Sequence, residues 1–275
     1  MESSRNNKRA NFIVQGGVLA AAGIISRLIG LLYRVPLTNI IGDEGNGLYA
    51  AAFQIYSIML LLSSYSLPLA VSKLVSQRIS KGQYKNARKI FRGALLFALI
   101  SGCIVCLVVF FGADFFSGTL MTEPKSAIAL RVLAPTLLVV ALMGVVRGYF
   151  QGMGTMMPTA ISQILEQIIN AIVSIAAATF LFAYGTKAAA LLHDNSYASA
   201  YGAAGGTIGT GAGALTGLLF LALVLLTQRG VLRRQSLKDG TRYEESYGQI
   251  FRVLLITILP VILSAAVYNI SDPLD

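Results

Sequence analysis

Long apolar runs alternate along this chain with short connections that carry most of its charge, and the runs have the lengths of membrane crossings. A bilayer core takes about 20 apolar residues per helical crossing. On that measure the pattern predicts spans over Phe12–Tyr33, Gly47–Ser66, Gly93–Phe111, Ile128–Val146, Pro158–Tyr184, Ala203–Thr227 and Ile250–Ile270. The first ends at Pro36 and a loop holding Gly42, Asp43, Glu44, Gly45 and Gly47. Pro68 is expected to kink the second, which continues amphipathically to Ser76, and Pro135 lies inside the fourth. Basic residues ahead of an apolar run also mark secretory signals. This run is long, contains Gln15 and Arg27, and is followed by further spans, so it reads as an uncleaved first helix.

The expected fold class is an all-α integral membrane protein. Residues 1–11 form a basic N-terminus, 12–227 a six-helix transmembrane lobe, 228–249 a basic loop and 250–275 a seventh span, the apparent start of a second lobe. Composition agrees: 275 residues are 55% hydrophobic and only 12% charged, about half the charged share of soluble domains. That excludes a soluble globular enzyme.

The formal net charge of +10 would suggest nucleic acid in a soluble protein, but its distribution points elsewhere. Sixteen of the 22 basic residues lie at the N-terminus (Arg5, Lys8, Arg9) or in alternate connections: Arg78 to Arg92, Arg147, and Arg229 to Arg252. Arg34, Lys125, Arg131 and Lys187 fall at the opposite ends. This is the positive-inside pattern of a multi-pass protein with a cytoplasmic N-terminus. No nucleic-acid partner is expected, because no aromatic-interleaved basic face accompanies the clusters. Cys103 and Cys106 sit inside an apolar run away from the single His193, and read as two small residues one helical turn apart rather than as metal or redox ligands. Gly205, Gly209, Gly213 and Gly217 recur at intervals of four, a strip that lets a neighbouring helix approach closely in lipid.

An ionisable side chain in a bilayer costs at least about 2.5 kcal/mol, so each one needs a cavity or a partner. Arg27 and Arg34 share one face of the first span. Gln163, Glu166, Asn170 and Ser174 form a polar stripe on the fifth, and Tyr49 and Tyr56 share a face of the second. Two readings stand. In one, Arg27, Arg34, Tyr49, Gln163, Glu166 and Asn170, with Tyr56, line a water-filled cavity whose Arg27 side attracts an anionic head group, while Glu166 binds a cation or proton or holds an arginine in place; in the other, Arg27 and Glu166 form an ion pair that holds helices together. Arg34 also suits snorkelling to the interface.

The stretches SRLIGLLYRVPLTNIIGDEGNGLYAAAFQIYS onward to Phe91 and GYFQGMGTMMPTAISQILEQIINAIVSIA (148–176), above all LPLAVSK and PTAISQILEQ, resemble the stage V sporulation protein B-like polysaccharide transporters. These are relatives of lipid II flippases in the multidrug/oligosaccharidyl-lipid/polysaccharide exporter superfamily. The resemblance implies a bacterial cytoplasmic-membrane transporter that moves lipid-linked sugar precursors of the cell envelope by alternating access between two six-helix lobes. It implies that Arg27 lines the cavity, with a second arginine near Tyr33 or Arg34. The length suits one such lobe and one further span, so a second lobe or a second copy is an expected partner, together with the bilayer and a pyrophosphate-sugar lipid. No cofactor and no nucleotide hydrolysis are expected, leaving coupling to an ion gradient or the membrane potential. A cation-exporting multidrug transporter centred on Glu166, and a non-transporting scaffold for envelope synthesis, are the competing functions.

Overall fold

The computed structural model describes the backbone of residues 2–64, 66–237, 239 and 245–271, and the side chains of 14–64, 66–230, 234, 239, 245–258 and 260. Tyr65, Lys238 and Arg242, and the side chains of Arg5, Lys8, Arg9 and Arg233, lie outside the described residues. Among the described residues seven helices follow one another: α1 (Glu2–Ser63), α2 (Leu67–Ser80), α3 (Tyr84–Phe115, running into a π-turn over Phe116–Leu120), α4 (Ser126–Gly152), α5 (Met157–Leu192), α6 (Ser196–Leu237) and α7 (Tyr247–Ser271). Five helical stretches are long and apolar enough to cross a membrane, and a shorter apolar helix over Tyr247–Ile258 follows them. This is a multi-pass membrane protein.

The loop expected between the first two spans is instead a single break inside α1. Gly42 adopts φ 70°, ψ 179°, a region open essentially to glycine alone, and the helix resumes at once. The break folds the chain back on itself. Leu37 and Tyr49, twelve positions apart and about 18 Å apart on a straight helix, both come within 3.3 Å of the Cβ position of Gly206. The second break falls before Pro68, not at it: Pro68 occupies the first turn of α2, where its missing N–H costs nothing. Helix also consumes most of the basic connection after α2. Only a turn at 81–83, with Gly82 at φ 72°, separates α2 from α3.

The chain passes back and forth between two ends of the lobe, the second limb of α1 and α2 together making one return. At the basic end the Met156 amide donates to Gln15 Oε1 at 2.9 Å, Arg78 pairs with Glu245 at 2.5 Å, and the Lys85 amide donates to Asp239 at 2.8 Å. At the opposite end Ser199 donates to Glu44 at 3.1 Å, and Lys125 pairs with Asp194 and Arg131 with Asp114. Two apolar clusters fill the space between. One gathers Leu67, Val71, Ile90, Phe150, Leu221 and Ile250; the other gathers Leu37, Ile41, Ile55, Leu130, Leu133 and Leu137.

The glycine strip of α6 packs as its spacing predicts. A Cβ at Gly205 would meet Ala177 O at 2.5 Å, one at Gly209 the Ser174 amide at 2.5 Å, and one at Gly213 Glu166 O at 2.5 Å, so only glycine lets α6 lie on α5. A second strip escaped the sequence reading. Gly144, Gly148 and Gly152 on α4 face Pro68, Ser72 and Val75 of α2, with Pro68 O 2.5 Å from the Cβ position of Gly148. The same spacing of four is present in the sequence, but spacing alone does not name the helix that meets it.

Candidate functional site

The inward face of α1's first limb follows helical spacing: Ala22, Ser26, Gly30, Tyr33, Leu37 and Ile41. Gly30 lies 3.8 Å (Cβ position) from Gln167 Oε1, and Asn170 Nδ2 donates to the Tyr33 hydroxyl at 3.3 Å, so this face rests on α5. Arg27 and Arg34 sit one position further round, and both are exposed. Among the described residues neither has an ion-pair or hydrogen-bond partner for its guanidinium.

Glu166 is held by Arg147, not by Arg27. Arg147 Nη2 lies 2.7 Å from Glu166 Oε2, and its Nε donates to Ser162 Oγ at 3.0 Å. Both side chains are largely shielded, at 14% and 20% exposure. That geometry rejects the Arg27–Glu166 lock. It also corrects the topology count: α4 continues to Gly152, so Arg147 belongs inside the helix and is not a loop charge. Sequence reading missed Arg147 because only five residues separate it from the polar turn; its signal was a lone cation between apolar residues and ahead of a glutamate-bearing helix.

The polar stripe of α5 is divided by its neighbours. Ser174 donates to Gly206 O at 2.8 Å and lies 3.0 Å from Asn170 Oδ1, so Asn170 and Ser174 close the α5–α6 seam. Gln163 is half-buried, and its Oε1 has no partner among the described residues. Tyr49 and Tyr56, expected to line a cavity, are buried at 7% and 6% exposure. Tyr49 packs its ring against Gly206 and Phe53, a place forced on it by the fold-back at Gly42. Thus Arg27 and Arg34 remain open to a ligand or a second lobe, while Tyr49, Glu166 and Asn170 act within the lobe. Cys103 and Cys106 are free, half-buried thiols on α3.

Residues 14–225 match the family model described as polysaccharide biosynthesis protein. The chain belongs to this family. Among curated relatives it is 30% identical to stage V sporulation protein B of Bacillus subtilis (strain 168) over 258 residues, 92% of this chain and 46% of the relative. It is likewise 30% identical to the lipid II flippase MurJ of the same organism, covering 93% of this chain and 47% of that one. The fold is that of the MOP-superfamily transporters. A MATE structure in the straight conformation aligns with TM-score 0.73 at 16% identity, over 96% of this chain and 54% of its own. A MOP-superfamily transporter from Pyrococcus furiosus aligns with TM-score 0.69 at 18% identity, over 94% and 52%. The family member described here therefore spans about half the length of the relatives it matches.

Proposed function

We propose that this lobe is half of a flippase that carries a lipid-linked saccharide precursor across the cytoplasmic membrane by alternating access, with the N-terminus cytoplasmic. The observation that carries the reading is the division of charge: Arg27 and Arg34 are exposed and unpaired among the described residues, whereas the one acidic group of the α5 stripe, Glu166, is already neutralised by Arg147. A guanidinium in a low-dielectric setting attracts a pyrophosphate through paired, charge-assisted hydrogen bonds. A carboxylate engaged in an ion pair offers a drug cation little. The relatives named as a stage V sporulation protein and a lipid II flippase support the same choice.

Alternating access places a binding site between two repeats, so a complete cavity requires a second lobe. Energy would come from an ion gradient or the membrane potential, with the lipid tail remaining in the bilayer while the head group crosses. The test is translocation of a fluorescent pyrophosphate-linked saccharide lipid in vesicles, with a second lobe supplied. Arg27→Ala should abolish transport at normal membrane levels and Arg27→Lys should restore part of it. Full transport by Arg27→Ala would sink the proposal, and a broad rise in resistance to cationic drugs on overexpression would favour the multidrug reading instead.

A further inference from the structure

Away from α1 and α5, a cavity of about 200 Å³ opens at the basic end between α3, α4 and α6. Arg88 and Arg92 of α3 and Arg229 of α6 line it, together with Phe91, Tyr149, Leu225 and Leu226. Arg88 is half-buried; Arg92 and Arg229 are exposed. Among the described residues no acidic side chain lines the cavity. The acidic groups described nearby are engaged elsewhere, Glu245 by Arg78 and Asp239 by the Lys85 amide. Three like charges around one cavity repel one another unless an anion joins them, and arginine forks fit phosphate oxygens in pairs.

The walls identify the anion's source. Upward from Arg92 at helical spacing, α3 presents Leu96 and Leu99, exposed at 45% and 44%. Upward from the cavity wall, α6 presents Leu226, Leu223 and Leu219, exposed at 61%, 62% and 56%. The charged mouth therefore stands where the predicted spans end at Gly93 and Thr227, with two apolar rails leading from it into the hydrocarbon. A soluble anion has no use for the rails, whereas the acyl chains of a lipid do.

We propose that this cavity binds the phosphodiester head group of an anionic glycerophospholipid from the leaflet at the basic end. It is a lipid site separate from the face bearing Arg27 and Arg34, and it fixes the depth of α3 and α6 in the bilayer. Basic pockets between membrane helices on that side are suited to such head groups, each arginine contributing about a fivefold preference.

The chain contains no tryptophan, so Leu226→Trp supplies a single fluorophore on the cavity wall. In vesicles, brominated phosphatidylglycerol should quench it in clear preference to brominated phosphatidylcholine. Adding Arg92→Ala and Arg229→Ala together should cut that preference about thirtyfold. The charge-matched pair Lys81→Ala/Arg252→Ala, both exposed and outside the cavity, should leave it unchanged. Equal quenching by the two lipids, or an equal loss in the charge-matched pair, overturns the site. Displacement by millimolar inorganic phosphate would make it a soluble-anion site and overturn the lipid assignment. Native mass spectrometry of the chain without the tryptophan, retaining phosphatidylglycerol in the parent and losing it in the double arginine variant, gives a readout independent of the reporter.

Discussion

Adding one methyl group along the α6 strip should have unequal effects at positions that look alike in sequence. At Gly213 an alanine Cβ would stand 2.5 Å from Glu166 O and 3.1 Å from Asn170 Cβ. The first neighbour is helix backbone, which cannot rotate aside as a side chain can, so α5 and α6 must separate by several tenths of an ångström. Overpacking of this kind costs about 1–3 kcal/mol, against a gain in helix propensity of about 0.8–1.0 kcal/mol for replacing glycine. A 2.5 Å approach to backbone puts this site in the upper half of that range, so the net loss is about 1–2 kcal/mol. Gly205→Ala, 2.5 Å from Ala177 O, should behave alike. Gly209→Ala should be worst, because it also displaces the Ser174 hydroxyl that donates to Gly206 O. At Gly217 the nearest atom is Met143 Sδ at 3.0 Å, in a flexible side chain, and backbone comes no closer than 3.5 Å. Packing and propensity then nearly cancel. Gly23→Ala on α1 meets nothing within 4 Å and should stabilise by the propensity term alone. Thermal unfolding of the detergent-solubilised chain reads the series at about 2–4 °C per kcal/mol. Equal losses at Gly213 and Gly217, or a Gly213→Ala protein as stable as the parent, would refute packing of α6 on α5 through this strip.

Removing either partner of the Arg147–Glu166 pair should cost about 1–3 kcal/mol, below the range for fully buried pairs because both groups keep some exposure. Arg147→Met with Glu166→Leu should recover most of that loss, and a double-mutant cycle in denaturant without coupling would remove the pair from the account. Gly42→Ala has open space around its Cβ but inherits φ 70°, so strain alone should destabilise it by about 1–3 kcal/mol; Tm near that of the parent would show that the break relocates. Asp194, in the connection between α5 and α6, is held below the usual carboxylate range by hydrogen bonds from Lys125 and the Ser196 amide. A depressed folded-state pKa contributes stability above the unfolded value near 3.9 and loses it as pH falls through the folded one. The acid limb of a pH–Tm profile should therefore flatten below about pH 4 in Asp194→Asn, and an unchanged limb would contradict the assignment.

Apolar run length and the four-residue recurrence of glycine are local properties, so the sequence alone determined the membrane class, most of the span positions and the close-packing face of α6. Hydrophobicity could not locate helix ends, because helix continues through polar termini once its amides are satisfied. For that reason α3 begins in the basic connection at Tyr84 and α4 carries Arg147 inside. Only the tertiary structure decided which cation meets Glu166, that Tyr49 lies beneath the α6 glycines, and that three arginines from two helices share one cavity. Each of these depends on the rotation and vertical register of helices far apart in the chain. A periodic pattern fixes which residues share a face, but not which neighbour that face meets or at what height.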